Sequence, residues 1–203
     1  MISHEITIYI YFKYMRITDD RYTRDRQRFD LALRMIRHQA RTGTIRTWTG
    51  LSDDRIRKLY RSYVANEDAS VKRHRGKSPA QSAYFLRNLE TRRQTASLAG
   101  LFALLGLLQA ANVDRRAGAT VAALRWGELF CRVYETYLAF NSAHRISFEH
   151  ASFLLHELQR RAELRPDRCP GCGALMVVDT LRLHHAVCAL CEGELRLSGA
   201  DSG

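Results

Sequence analysis

No apolar run in the 203-residue sequence exceeds the eleven residues of Leu98–Leu108, against the roughly 20 that a membrane-spanning helix requires. Met1–Glu5 carries no basic n-region, and no small-residue cleavage site follows the apolar stretch after it, so a secretory signal is missing too. Catalytic signatures are equally scarce. There is no G-x-S-x-G motif and no dinucleotide fingerprint. His156-Glu157 lacks the second histidine of H-E-x-x-H. The nucleic-acid deaminase pattern fails because no H-x-E occurs and Pro170 follows Cys169 instead of preceding it. Gly76-Lys77-Ser78 resembles the end of a P-loop, but the required earlier glycine falls at Val71. These absences point to a cytoplasmic protein that is neither a membrane protein nor an enzyme.

Cysteine is also sparse, and its placement is the strongest signal in the chain. Four of the five cysteines form Cys169-x2-Cys172-x15-Cys188-x2-Cys191, the spacing of a four-sulfur zinc site. Two intervening residues let a tight turn aim both thiolates at one ion, and a hairpin-length separation brings up the second pair. Gly173 and Gly193 follow the two pairs, where a tight turn favours positive φ. The alternative is a pair of redox dithiols or a disulfide pair. One structural Zn2+ is the expected cofactor. A four-sulfur site is closed, with no open position for chemistry, and it leaves His184 and His185 unneeded as ligands. Persisting thiolates fit a reducing compartment. The fifth, Cys131, lies among aromatics mid-helix and reads as core.

With 46% apolar and 26% charged residues the chain can bury a real core and stay soluble. Its net charge of +11 is uneven. Residues 1–77 hold 18 Lys and Arg against 9 Asp and Glu, whereas residues 168–203 hold 3 against 4. A basic excess so concentrated is the footprint of a polyanion partner, nucleic acid before membrane, with solvated basic faces as the bland alternative. The cysteine segment is the acidic part of a basic protein and a poor candidate for gripping phosphates.

Along the chain, Ile6, Ile8, Ile10, Phe12 and Tyr14 alternate as in a strand with no hairpin partner nearby, so residues 1–22 read as an atypical N-terminal extension, with Met15 a plausible initiator. A helical pattern runs from Thr23 to Arg41, stopped by Thr42-Gly43. Ser52 then caps a second helix to about Val64, with Asp53 and Asp54 in its first turn. Ile45, Leu51, Ile56 and Leu59, with Gly50 at the turn, match the burial pattern of a helix-turn-helix. That helix projects Arg55, Arg57, Lys58 and Arg61, and a basic stretch follows with Lys72, Arg73, Arg75 and Lys77. Two readings stay open: DNA contact through these eight residues, or a helical hairpin and a solvated linker with basic surfaces. One or two helices over Pro79–Ala110 have an apolar stripe wide enough for burial on more than one side, and further helices cover Thr120–Phe140 and Phe148–Leu164, the last capped by Ser147. Pro166 marks a hinge, after which Ala174–Thr180 reads as a strand with Leu183–Val187 as its partner.

The fold class expected is therefore mainly α: a helical domain over residues 23–166 with a helix-turn-helix-like N-terminal part, and a small four-cysteine zinc ribbon over 167–203. Three blocks in order carry a family resemblance: Thr49-Gly-Leu-Ser-Asp-Asp-Arg-Ile-Arg-Lys-Leu-Tyr60, the segment from Lys77-Ser-Pro to Tyr84-Phe85, and the four cysteines. Together, over roughly residues 25–195, they resemble FlhC, a subunit of the bacterial flagellar master activator. The resemblance implies a mostly helical chain with a C-terminal zinc-binding part held by Cys169, Cys172, Cys188 and Cys191. It implies a hetero-oligomer with an FlhD-like partner that binds double-stranded DNA upstream of flagellar promoters and helps RNA polymerase initiate. The DNA contacts are not carried over residue by residue and rest on charge alone. The competing reading is a zinc-stabilised helical scaffold that binds other proteins and not DNA.

Overall fold

A computed structural model describes residues 21–66, 78–109, 121–181 and 187–200. It is mainly helical, with one small two-stranded sheet among the described residues. The strand-like alternation of Ile6–Tyr14 and the basic residues Lys72, Arg73, Arg75 and Lys77 lie outside the described residues.

Helix α1 covers residues 21–37 and buries Leu31, Ala32, Met35 and Ile36 on one face. It stops earlier than Thr42-Gly43. Gln39 takes φ 58°, and the N–H groups of Gln39 and Ala40 donate to the carbonyls of Ile36 and Met35 at 2.8 and 3.0 Å. This is a Schellman ending with glutamine where glycine is usual, which is why no stop signal showed there. Thr42 and Gly43 instead begin α2 (Thr42–Thr49), which buries Ile45, Trp48 and Thr49. Gly50 ends it with φ 67°, and after a three-residue turn α3 (Asp53–Asn66) begins. Ile45, Leu51 and Ile56 are almost completely buried and Leu59 packs against the same core. The pair α2–α3 thus has the connection and burial of a helix-turn-helix. Its first helix is capped from a distance: buried Glu149 accepts from the Arg41 backbone N–H at 2.7 Å and the Thr44 hydroxyl at 3.0 Å.

A one-turn 3-10 helix (Ser82–Leu86) inserts Phe85 and leads to α4 (Leu89–Leu104), whose N-cap Asn88 accepts from the Thr91 N–H at 2.9 Å. Thr91, Thr95, Leu98, Ala99 and Phe102 form the buried stripe of α4. Helix α5 (Val121–Phe140) crosses α1 and α2 at Gly127, where a Cβ would lie 2.8 Å from Leu31 Cδ2 and 3.2 Å from Trp48 Cβ. Glycine fits that approach without displacing the Leu31 tip or pressing on Trp48. Ser147 caps α6 (Phe148–Arg160), accepting from the His150 N–H at 3.3 Å. Arg161, at φ 51°, ends it before Leu164. That leaves Leu164 to start β1 (Leu164–Arg168), which pairs antiparallel with β2 (Leu175–Asp179), Pro166 opposite Val177. Pro166 therefore sits within a strand that pairs with β2, while the expected pairing of β2 with Leu183–Val187 falls on a segment of which 183–186 lie outside the described residues. Among the described residues β1 pairs on one side only, so a proline without an N–H is tolerated in it. Helix α7 (Ala189–Ala200) follows.

Helix α4 is covered on two sides, as its wide apolar stripe requires: the main core on one, β2 and α7 on the other, with Leu175 Cδ2 3.8 Å from where a Gly100 Cβ would stand. No helix among the described residues is long and apolar enough to cross a membrane. Cys131 is fully buried, and burial pushes its thiol up to about 12, which makes it an inert core residue.

One ion-pair network ties α1 to α5. Arg34 donates to both carboxylate oxygens of Glu135 at 2.8 and 2.6 Å and also pairs with Glu128, and His38 Nε2 lies 2.9 Å from Glu135. The Arg34 guanidinium, then His38, hold the Glu135 carboxyl down to about 2 from its ordinary 4.5. A carboxylate with a depressed folded-state pKa contributes stability above its unfolded value, and that contribution is lost as pH falls from 4.5 toward 2. Glu135 is 39% exposed, so the contribution is that of a partly screened pair. In acid denaturation monitored by circular dichroism, Glu135→Gln is expected to be less stable than wild type at neutral pH, with the difference shrinking below about pH 4. A constant difference down to about pH 2 would argue that Glu135 acts only by packing.

Candidate metal centre and basic helical face

The chain leaving β1 turns sharply at the first cysteine pair. The Cys169 N–H donates to the Ala174 carbonyl at 2.9 Å, the Gly173 N–H to the Cys169 carbonyl at 2.8 Å, and Gly173 has φ 73°. The turn points Sγ of Cys169 and Cys172 to one side. The second pair is built differently. Cys188 immediately precedes α7 and Cys191 lies in its first turn, the Glu192 N–H donating to the Cys188 carbonyl at 3.0 Å. Gly193 is consequently helical, not a second positive-φ turn.

All four sulfur atoms lie within 4.8 Å of one another. Cys169 and Cys191 are 3.9 Å apart and Cys172 and Cys188 3.6 Å. A tetrahedron with metal–sulfur bonds of about 2.3 Å has edges of about 3.8 Å, so the donor set fits a single ion. The separations are far beyond the roughly 2.05 Å of a disulfide, and all four thiols are free. Cys169 and Cys188 are buried, Cys191 half-buried and Cys172 exposed. The N–H of Cys188 donates to Cys169 Sγ at 3.2 Å. That bond, with others from backbone groups of the first turn, draws the Cys169 thiol down to about 6. Hydrogen bonding with Cys172, then Cys188, drives the Cys191 thiol up to about 12. Four thiols at these distances cannot all ionise without a shared cation, so the cluster is suited to holding a metal ion.

Of the eight basic residues singled out from charge, four are described, and all four lie on α3. Around the helix, Arg57, Arg61, Lys58 and Arg55 span an arc of about 160°, opposite the buried Ile56 and Tyr60. They are not equivalent. Arg57 pairs with Asp54 at 2.9 Å, and the Arg55 guanidinium sits 5.6 Å over the Phe29 ring. Lys58 and Arg61 are exposed and have no ion-pair partner among the described residues. The acidic first turn of α3 is partly neutralised, since Arg46 bonds Asp53 at 3.1 Å.

Arg92 of α4 was not legible as a site residue. Its guanidinium donates to the Val187 carbonyl at 2.7 Å and pairs with Glu192, on either side of the second cysteine pair. A partner about 100 residues away leaves no local pattern. Nor did the sequence indicate the cleft of about 270 Å3 between α4 and the cysteine segment, lined by Ala96, Leu175, Val177 and Leu190. The chain matches no protein-family model and no curated protein.

Proposed function

We propose that this chain is a zinc-stabilised, DNA-binding subunit of a transcriptional activator of the FlhC kind, acting with an FlhD-like partner and RNA polymerase at flagellar or related promoters. The observation that carries the reading is α3: a helix entered through a glycine turn, buried on one face, with Lys58 and Arg61 on the other, neither ion-paired among the described residues. Such a helix is the right size and charge for a major groove, with phosphates taken by the flanking cations. Zinc is the ion of choice for four thiolates in a closed tetrahedron, and here it is structural.

The test is footprinting on promoter duplex with the chain alone and with its partner. Protection is expected in the mixture, and affinity should fall steeply as salt rises. Lys58→Ala and Arg61→Ala should each lower the slope of log affinity against log salt by about 1, since each removes one phosphate contact. No protection in either sample, or binding indifferent to salt, would favour the protein-interaction scaffold.

A further inference from the structure

One peptide group joins the metal centre to the helical body. The carbonyl of Val187 accepts from Arg92 Nη2 at 2.7 Å, and the N–H of the same peptide unit, that of Cys188, donates to Cys169 Sγ at 3.2 Å. Arg92 therefore sits at the head of a relay: guanidinium, peptide, sulfur. Its second arm pairs with Glu192, the residue after Cys191. The two arms bracket the Cys188–Cys191 turn, and the Arg92 side chain is only 17% exposed, so the fork is held in place by α4. A carbonyl polarised by a cation makes its own N–H a stronger donor, and hydrogen bonds in series reinforce one another. Four thiolates around a dication also carry a formal charge of about −2, which a nearby guanidinium offsets.

From this geometry we infer that Arg92 is a positioning residue of the metal centre: it orients the Cys188 N–H toward Cys169 and couples metal occupancy to α4. Lysine cannot replace it fully, because a single ammonium does not span the carbonyl and the carboxylate in a fixed fork. Arg93, the next residue, bonds Glu90 at 2.7 and 2.9 Å and so provides a neighbouring control.

The inference rests on the four-cysteine metal reading, and Co2+ binding to the full chain separates the two. Co2+ affinity is measured by chelator competition, with the thiolate charge-transfer bands recorded alongside. Wild type and Arg93→Ala should bind one Co2+ with the same spectrum. Arg92→Ala should bind at least about tenfold more weakly, within the range for groups that orient metal ligands, with altered bands. Arg92→Lys should fall between them. Wild-type affinity and spectrum in Arg92→Ala would overturn the role of Arg92 while leaving the four-cysteine site standing. Failure of wild type to take up Co2+ or Zn2+ would overturn both. Should Arg92→Ala lose the melting transition of the helical body, Arg92→Lys decides: an affinity equal to wild type overturns the inference.

Discussion

Cys188→Ser is expected to abolish stoichiometric metal binding and to open the segment between Leu164 and α7 to proteolysis. Cys188 is buried, contributes a sulfur 3.6 Å from Cys172, and carries the N–H that bonds Cys169. The local hydrophobic cluster of Cys169, Met176, Val178 and Cys188 contains two of the ligands themselves, so little core remains without the ion. Small modules of this kind draw much of their folding free energy from the metal. The damage should spread, because Leu164 and Val177 belong to the main core and β2 packs on α4. Metal content per chain, limited proteolysis and thermal melting together check this. Cys172→Ser, at the exposed ligand, should also release metal but leave the helical body closer to its wild-type melting temperature. Full zinc retention in either variant would sink the four-sulfur assignment.

The largest effect outside the metal centre is expected at Phe130. It is fully buried in the middle of α5 and stacks with Trp48 of α2 and Phe102 of α4, each at 6.0 Å, with the edge of Phe148 of α6 at 5.0 Å. Phe130→Ala removes a ring held from three directions, so the cavity cannot collapse from one side alone. The cost should be about 3–5 kcal/mol. For a chain of this size the melting temperature should fall by on the order of 10 °C. Phe130→Leu, which keeps most of the volume, should lose less than half as much. Near-equal melting of Phe130→Ala and wild type in calorimetry would mean that α2, α4 and α6 do not meet around this ring.

The parts of this architecture that the sequence disclosed are those whose cause is local. Gly50 marks the α2–α3 turn because a left-handed residue there selects glycine, and Ser147 and Ser52 mark helix starts because an orphan N–H needs an acceptor. The cysteine spacing disclosed the four-sulfur cluster because the geometry for chelating one ion imposes that spacing. What escaped had a distant cause. Gln39 ends α1 in a conformation usually reserved for glycine, supported by its surroundings instead of its own preference. The pairing of Leu164–Arg168 with β2 escaped as well, since Arg161 ends α6 early enough to free that segment. Glu149 caps α2 from 108 residues away.

On its own, then, the sequence determined a mainly helical chain, a helix-turn-helix-like pair and four cysteines at metal-binding spacing. Each of these follows from short-range periodicity, backbone permission or chelate geometry. Only the tertiary structure decided that the second cysteine pair opens a helix, that Arg57 is paired while Lys58 and Arg61 have no ion-pair partner among the described residues, and that Arg92 grips the Val187–Cys188 peptide. Those outcomes depend on which surfaces meet, and a side chain reaching across about 100 residues of sequence leaves no trace in the pattern around it.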